Sequence, residues 1–319
     1  MKVAVVGAGV MGCATAWALR ECGAEVTVHE QFGLDHDRGS SHGRTRIFRV
    51  AYPDPYWVRF AQDAYAGWRE LDPSLLGLYG LIELVADPAL VSARTLDECG
   101  VPYRWLDKEE VRAHGASLPD GWTALHVADA GVVFSERARH ALLDAAGAEV
   151  ETNRRIASTD ELDADVVVVT AGPWIRALVP ELPVTVTRET LAYFRREGPP
   201  QPSIVDLNAE TGAHAMYSLH DPVHGLKAGA HHAGTVADPN ADAPPDPAVV
   251  ERIVSWVRVR FPDVDPEPVD VQTCLYTTTA DEHFVLERRG RVVVGSACSG
   301  HGFKFAPAVG RRLAELALE

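Results

Sequence analysis

The pattern of apolar and polar positions changes twice along the 319-residue chain, from mixed to strand-rich and back. The run ADVVVVTAG at 164–172 is continuously apolar, which is typical of a strand buried on both faces of a parallel sheet. Strands are predicted at 2–6, 25–29, 80–85, 164–172, 190–196, 203–207, 214–219, 225–231, 270–279 and 291–296. Helices are predicted at 10–22, 55–71, 89–99, 108–113, 135–147 (with Ser135 as its N-cap), 247–260 and 307–318.

The order of these elements indicates the fold class. A strand–helix–strand unit opens the chain, a strand-rich block fills the middle, and a strand followed by a helix ends it. We therefore predict an α/β fold (α+β overall), with a nucleotide-binding domain assembled from separated segments and an inserted domain rich in antiparallel strands.

A glycine motif lies between the first strand and the first helix. The stretch VAVVGAGVMGCATAWAL contains Gly7, Gly9 and Gly12, and a second strand ends at Glu30. In this context the glycines allow the turn, the approach of a pyrophosphate and close helix packing, while Glu30 can accept hydrogen bonds from a ribose diol. The motif predicts NAD or FAD rather than NADP; the alternative is a glycine turn that only packs.

Composition and charge argue against several classes of protein. A formal net charge of −15 argues against a general nucleic-acid-binding protein. The five cysteines are scattered without a CxxC pair, so we expect reduced thiols in an intracellular protein. The sequence contains neither an apolar run near twenty residues nor a charged leader, and we expect a cytoplasmic protein without membrane contact.

Two further stretches are rich in glycine and polar residues. RGSSHGRTRIFR at 38–49 by itself reads as a solvated basic loop, whereas SACSGHGFKF at 296–305 has glycines on both sides of His301. Glycines in such positions suggest that something large lies against the backbone. In the strand GLKAGAHH, Lys227, Gly229 and His231 share one face, which would suit a flat ring lying against it.

Four motifs together resemble those of the monomeric sarcosine oxidase family, which includes N-methyltryptophan oxidase. They are GSSHGRTRIFR, GLKAGAHH, TCLYTTTADEHFVLE and CSGHGFKFAPAVG, in the family's order. The resemblance implies a glutathione-reductase-type FAD-binding Rossmann domain and a substrate domain with an antiparallel sheet. We place the FAD domain at 1–78, 131–180 and 285–319, and the substrate domain at 79–130 and 181–284.

The resemblance also implies roles for individual residues. Cys274 corresponds to the position of covalent flavin attachment, and Lys227 to the lysine that promotes reaction with O2, for which we expect a permanent charge. Arg49 and Lys304 correspond to the pair that holds the substrate carboxylate. The implied catalytic and substrate-contacting residues are Lys227, His231, Tyr217, Tyr276, Arg49 and Lys304. The glycine motif and the resemblance together imply FAD contacts from Gly7, Gly9, Val10, Met11, Gly12, Glu30, Ser40, Ser41, His42, Thr45, Arg46, Ala171, Gly172, Trp174, Cys274, Gly300, His301, Gly302, Phe303 and Lys304.

The expected activity is oxidation of a secondary (N-methyl or cyclic) amino acid to an imine, with electrons passing through FAD to O2, by a monomer. The alternatives are a biosynthetic flavin dehydrogenase, an enzyme similar to D-amino-acid or glycine oxidase, and a non-catalytic flavin- or NAD-binding subunit. Cys298 is the second candidate for flavin attachment. Five histidines between 214 and 232 are irregularly spaced, without a carboxylate or cysteine in ligand spacing among them, so we expect no metal site.

Overall fold

A computed structural model of the protein describes residues 1–87, 92–207 and 215–319. The helices in these residues are α1 (Val10–Glu21), α2 (Pro55–Leu71), α3 (Ala93–Glu98), α4 (Lys108–Ala113), α5 (Ser135–Ala146), α6 (Pro247–Arg260) and α7 (Ala306–Leu318). The strands are β1 (Lys2–Val6), β2 (Glu25–His29), β3 (Thr45–Phe48), β4 (Leu76–Gly77), β5 (Leu81–Val85), β6 (Arg104–Leu106), β7 (Thr123–Val127), β8 (Gly131–Phe134), β9 (Glu149–Glu151), β10 (Val166–Val169), β11 (Thr185–Arg195), β12 (Ser203–Asp206), β13 (Met216–Asp221), β14 (Gly225–Ala230), β15 (Thr235–Val236), β16 (Asp270–Thr278), β17 (Val285–Arg289) and β18 (Val292–Ser296).

A six-stranded sheet has the spatial order β17-β18-β10-β1-β2-β9. Its strands are parallel except for β17, which pairs antiparallel with β18. The central strand β10 is buried at all four positions, as its continuous apolar sequence predicts. Helix α1 packs against α5 and α7 beside this sheet, and the predicted α/β class is confirmed.

The second sheet has nine strands, in the order β15-β11-β14-β13-β12-β5-β7-β6, with β16 also paired to β11. All of its pairs are antiparallel except β12 with β5. Helix α6 lies over β14 and β11 and is held by a buried charge: Trp256 Nε1 and Arg260 Nε each donate to Asp206 Oδ2 at 2.8 Å. A small third sheet, β3-β8-β4, adjoins β13 of the second sheet through β3.

Several local predictions need correction. Ser135 is the first residue of α5 rather than its N-cap. Its hydroxyl donates to the carbonyl oxygen of Gly43 and accepts no capping hydrogen bond from the helix. Short strands such as β3 and β7 were not predicted, because their patterns are too brief to separate from loops. The predicted helix at 89–99 and strand at 214–219 lie partly outside the described residues. No helix in the described ranges is long and apolar enough to cross a bilayer.

Candidate active site

A cavity of about 620 Å³ lies between strand ends of the six-stranded sheet and residues within strands β11, β13, β14 and β16 of the nine-stranded sheet. Its volume is within the 300–1,000 Å³ range usual for small-molecule and cofactor sites. Every residue that the sequence analysis assigned to cofactor, substrate or catalysis lines it, except Gly12. Residues separated by nearly the whole chain, such as Gly7 and Lys304, are therefore brought to one site.

The glycine turn between β1 and α1 forms one end of the cavity. Gly7 has φ +105°, and a Cβ there would lie 2.6 Å from the carbonyl oxygen of Thr170. A Cβ on Gly12 would lie 1.8 Å from the carbonyl oxygen of Gly7, so this glycine packs the helix onto the turn instead of lining the cavity. At Gly9 the nearest contact of a Cβ would be the Ser41 hydroxyl at 3.2 Å. The backbone N–H of Val10 donates to the same hydroxyl at 3.0 Å. Since Gly9, Val10 and Met11 line the cavity, the N-terminus of α1 borders a space that suits an anion.

Glu30 ends β2 beside this turn and is buried. Its carboxylate accepts hydrogen bonds from the backbone N–H groups of Ala8, at 2.8 Å, and Phe32, at 2.9 Å. Since a carboxylate oxygen accepts more than one hydrogen bond, both oxygens can still accept from a ribose.

Arg139 is a cavity residue that the sequence analysis missed. Its Nη2 donates to Asp35 Oδ1 at 2.7 Å, and its buried Nη1 has no hydrogen-bond partner among the described residues. A signal was present, because Arg139 occupies the apolar side of α5, next to Ala138 and one turn before Leu142. The sequence analysis also missed Arg154, His36, Leu191 and Met216.

The loop at 38–49 is organised by Arg46. Its guanidinium donates to the carbonyl oxygens of Thr45, Ser40 and His42, at 3.0, 2.9 and 2.6 Å. Arg44 instead pairs with buried Asp221, at 2.8 Å, outside the cavity lining. The reading of this stretch as a solvated loop is therefore wrong.

Two thiols lie in the wall formed by β16 and the segment after β18. Cys274 is buried, and burial raises the pKa of its thiol to about 11. Cys298 accepts a hydrogen bond from the backbone N–H of Thr277 at 3.4 Å and also lines the cavity. Both candidates for covalent attachment are therefore accessible from the same space.

The flat ring that lies against Gly229 belongs to Tyr217. A Cβ on Gly229 would meet the Tyr217 hydroxyl oxygen at 2.6 Å. Burial raises the pKa values of the Tyr217 and Tyr276 hydroxyls above their ordinary value, so both are neutral at physiological pH. They can donate hydrogen bonds into the cavity but do not act as bases there.

Close contacts among protein atoms also explain the glycines around His301. A Cβ on Gly300, which has φ +70°, would lie 2.3 Å from Tyr276 Cε2 and 2.6 Å from His231 Cε1. A Cβ on Gly302 would lie 1.8 Å from the carbonyl oxygen of Ala297. The expected large neighbour is thus the protein itself at both positions, although both glycines also line the cavity.

Lys227 is 2% exposed, and its Nζ donates to the carbonyl oxygen of Thr45 at 3.1 Å. Burial, assisted by the nearby Arg46 guanidinium, lowers the pKa of the Lys227 amine to about 7. The expectation of a permanent charge is therefore wrong for the protein chain, since an amine with this pKa changes its protonation near neutral pH.

Arg49 and Lys304 meet around the ring of Tyr52. The Arg49 guanidinium carbon lies 4.2 Å from the ring centroid, and Lys304 Nζ lies 5.8 Å from it. Lys304 also donates to the carbonyl oxygen of His301 at 2.5 Å. Burial holds the pKa of Lys304 well below its ordinary value, and the neighbouring Arg49 charge lowers it further.

The fold adds a carboxylate to two of the histidines. Ligand atoms of His231, His232 and Glu282 all lie within 4.8 Å of one another. His232 and Glu282 both have positive φ, +56° and +60°, and His232 Nε2 lies 3.4 Å from Glu282 Oε1. The sequence analysis missed this contact because Glu282 belongs to a distant segment.

Comparisons with known proteins agree with this architecture. The profile of the family described as "FAD dependent oxidoreductase" matches residues 2–316. Human peroxisomal sarcosine oxidase is 32% identical, covering 99% of this chain and 91% of the relative, and monomeric sarcosine oxidase from Bacillus sp. is 28% identical, covering 99% and 92%.

Among solved structures, NikD, described as an unusual amino acid oxidase, has a TM-score of 0.86 at 25% identity, covering 99% of this chain and 93% of that one. L-proline dehydrogenase from P. horikoshii shares the fold, with a TM-score of 0.84 at 19% identity and coverage of 99% and 92%. The resemblance to the sarcosine oxidases is confirmed. The chain belongs to the family of FAD-dependent oxidoreductases.

Proposed function

We propose that this protein oxidises a secondary amino acid, N-methylated or cyclic, to the corresponding imine. FAD held in this cavity would supply, at its N5 atom, an acceptor for the hydride that leaves the substrate carbon. With O2 as the final electron acceptor, the overall reaction would convert the amine and O2 to the imine and H2O2. The names of the sarcosine oxidase relatives support the substrate class. Within the cavity, the observation that carries the proposal is the pairing of Arg49 with Lys304 around Tyr52.

The residues of the cavity fit FAD. The glycine turn and the N-terminus of α1 suit a pyrophosphate, and Glu30 suits a ribose diol. Buried polar atoms without hydrogen-bond partners in the described chain include His42 Nε2, Thr45 Oγ1 and Arg139 Nη1, whose residues line the cavity. Such atoms are costly unless a ligand or water satisfies them, which supports an extended polar occupant.

Arg49 and Lys304 would hold the substrate carboxylate. Arg49 offers a planar guanidinium that matches a carboxylate, and an anion placed between the two groups would favour the charged form of Lys304. The opposite wall has the rings of Tyr217, Tyr276 and His231. Neutral tyrosines add no negative charge that would stabilise a protonated substrate amine.

Lys227 would supply the charge that promotes reaction with O2. A cation at a dry wall stabilises the negative charge that develops as O2 is reduced. Its amine is held in place by Thr45 and lies near Arg46, so the cavity wall is already positive there.

Cys274 would carry the covalent link to FAD. The supporting observations are its burial in the wall beside Tyr276 and its position in the matching motif. Cys298 is the alternative, because it lines the same wall.

The two proposed domains correspond to the two large sheets. Every strand of the six-stranded sheet falls in 1–78, 131–180 or 285–319, and every strand of the nine-stranded sheet in 79–130 or 181–284. The site would therefore form between an FAD domain and a substrate domain, within a monomer.

Anaerobic bleaching of the enzyme-bound flavin tests the proposal. Purified holoenzyme is mixed, without O2, with a panel of N-methyl, cyclic and primary amino acids. We expect bleaching by secondary amino acids and stoichiometric H2O2 when air is admitted. Bleaching without H2O2 would indicate a dehydrogenase, and no bleaching by any amine would exclude the proposed activity.

A further inference from the structure

A buried acid stands behind the proposed carboxylate site. Glu83 lies in the middle of β5, and its side chain is on the same face as the core residues Leu81 and Val85. It is 1% exposed and is aligned with the apolar residues Val205 and Leu125 of the neighbouring strands. An ionisable residue at such a position is costly, so its contacts are informative.

Glu83 is only weakly compensated. Its Oε1 lies 3.7 Å from Arg49 Nη1, longer than a hydrogen bond, and accepts from the Ser92 hydroxyl at 3.3 Å. Its Oε2 is buried without a hydrogen-bond partner in the described parts of the chain. A carboxylate that served only to position Arg49 would be expected to form the short, two-pronged contact that this pair lacks.

We propose that Glu83 competes with the substrate carboxylate for the charge of Arg49, and that it takes up one proton when that carboxylate binds. The inference rests on the proposed role of Arg49. Two carboxylates beside one guanidinium in a dry site repel each other, and protonation of the buried one relieves the repulsion. Substrate affinity would then fall as pH rises.

The surroundings of Glu83 agree with proton uptake. Burial raises the pKa of its carboxyl, and the Arg49 charge, with hydrogen bonding from the side chain and backbone of Ser92, only partly opposes that rise. The charged or titratable groups that act on Glu83 are Arg49 and, beyond it, the Tyr52 hydroxyl. Lys304, near Arg49, also changes protonation with pH, so the experiment must separate the two groups.

Acetate titrations of wild-type and Glu83→Gln holoenzyme make this separation. Acetate has no amine and stays ionised from pH 6 to 9, and its binding can be followed by perturbation of the flavin absorption spectrum. The protonation of Lys304 affects both proteins alike, so the ratio of their dissociation constants isolates Glu83. We expect the dissociation constant of the wild type to rise with pH relative to that of Glu83→Gln. The ratio of the two constants should reach roughly ten, the effect of a one-unit pKa change on binding.

A pH indicator in weak buffer gives a second readout. Wild type should take up more protons per acetate bound than Glu83→Gln. Glu189→Gln is the matched control, because Glu189 is equally buried in the same sheet but accepts from Gly234 N rather than pairing with Arg49. It should retain the wild-type pH profile.

The outcomes distinguish the inference from the proposed function. If Arg49→Ala leaves acetate affinity unchanged, Arg49 does not bind carboxylates. Its proposed role and the inference about Glu83 then both fail, whereas the proposed oxidation is tested separately by flavin bleaching. If acetate binding needs Arg49 but the ratio stays at one, falls below one or does not change with pH, only the inference about Glu83 is overturned. The same holds if Glu189→Gln reproduces the effect of Glu83→Gln.

Discussion

Lys227 Nζ donates a hydrogen bond to the main-chain carbonyl oxygen of Thr45, 3.1 Å away. The bond connects β14 of the nine-stranded sheet to Thr45, the first residue of β3. Thr45 lies four residues before Arg49 in the chain. A carbonyl accepts from a charged or a neutral amine, so the contact fixes the position of Lys227 without fixing its charge. Burial lowers the pKa of that amine to about 7, and the charge of the cavity wall therefore depends on pH.

We expect Lys227→Met to slow reaction of the reduced holoenzyme with O2 by about 10²-fold, the effect of losing one electrostatic stabiliser. Methionine is similar in length and buries well, but has no charge. Anaerobic reduction by substrate should change much less. Stopped-flow absorption measures both half-reactions, and equal slowing of the two would instead assign Lys227 a general structural role.

The reoxidation rate should also depend on pH. A lysine whose pKa is lowered is charged below that pKa and neutral above it, so the wild-type rate should fall as pH rises above about 7. A bound anionic cofactor would raise the pH at which the rate begins to fall, but the rate would still fall with rising pH. Lys227→Met should lose this pH dependence. A pH dependence that persists in the variant would assign the titration to another group.

The yellow colour should remain with the protein after acid precipitation, since we propose a covalent link through Cys274. Cys274→Ser should release the flavin into the supernatant, whereas Cys298→Ser should not. The two thiols line the same wall, which makes them a matched pair. Release by Cys298→Ser alone would move the link to that residue, and release from fully loaded wild type would exclude a covalent bond.

Most of the fold followed from local pattern. Helix α2 has the predicted bounds, 55–71; Asp54 caps it, Pro55 begins it and its buried positions recur with the helical period. Strand β10 was predicted from four consecutive valines. Strands β3 and β8 were not predicted. They are stabilised by pairing with each other, a contact between distant segments that the local pattern does not contain.

The sequence predicted which residues line the candidate site, but it did not predict which of those residues contact one another or their neighbours. Motif matching placed Arg49 at the cavity, yet nothing near it in sequence indicates the ion pair with Glu83. The available signal was an acid inside the apolar run LIELVA. In the same way, motif glycines were read as space for a cofactor, whereas Gly229 makes room for Tyr217.

Gly300→Ala should destabilise the protein more than Gly290→Ala. Both glycines have positive φ, +70° and +61°, so each substitution costs about 1–2 kcal/mol in backbone strain. A Cβ at Gly290 meets nothing within 4 Å, while one at Gly300 collides with Tyr276 and His231, adding about 1–3 kcal/mol. Denaturant unfolding of the two variants compares the costs directly. Equal losses of unfolding free energy in the two variants would show that Tyr276 and His231 move aside without strain.

Arg49 and Lys304 should contribute jointly to binding of the substrate carboxylate. Arg49→Ala or Lys304→Met should each weaken binding of an amino-acid substrate by roughly ten- to a hundredfold, the loss of one charge-assisted contact. The two effects should not be additive, because the Arg49 charge lowers the pKa of Lys304. Removal of Arg49 lets Lys304 hold its proton more firmly and offset part of the loss. The double variant should therefore lose more affinity than the two single effects combined. Dissociation constants are obtained at pH 8 from the dependence of the anaerobic flavin-reduction rate on substrate concentration. The decarboxylated amine of the same substrate is the control that neither substitution should affect. Wild-type affinity for that amine equal to its affinity for the amino acid would exclude a carboxylate site at this pair.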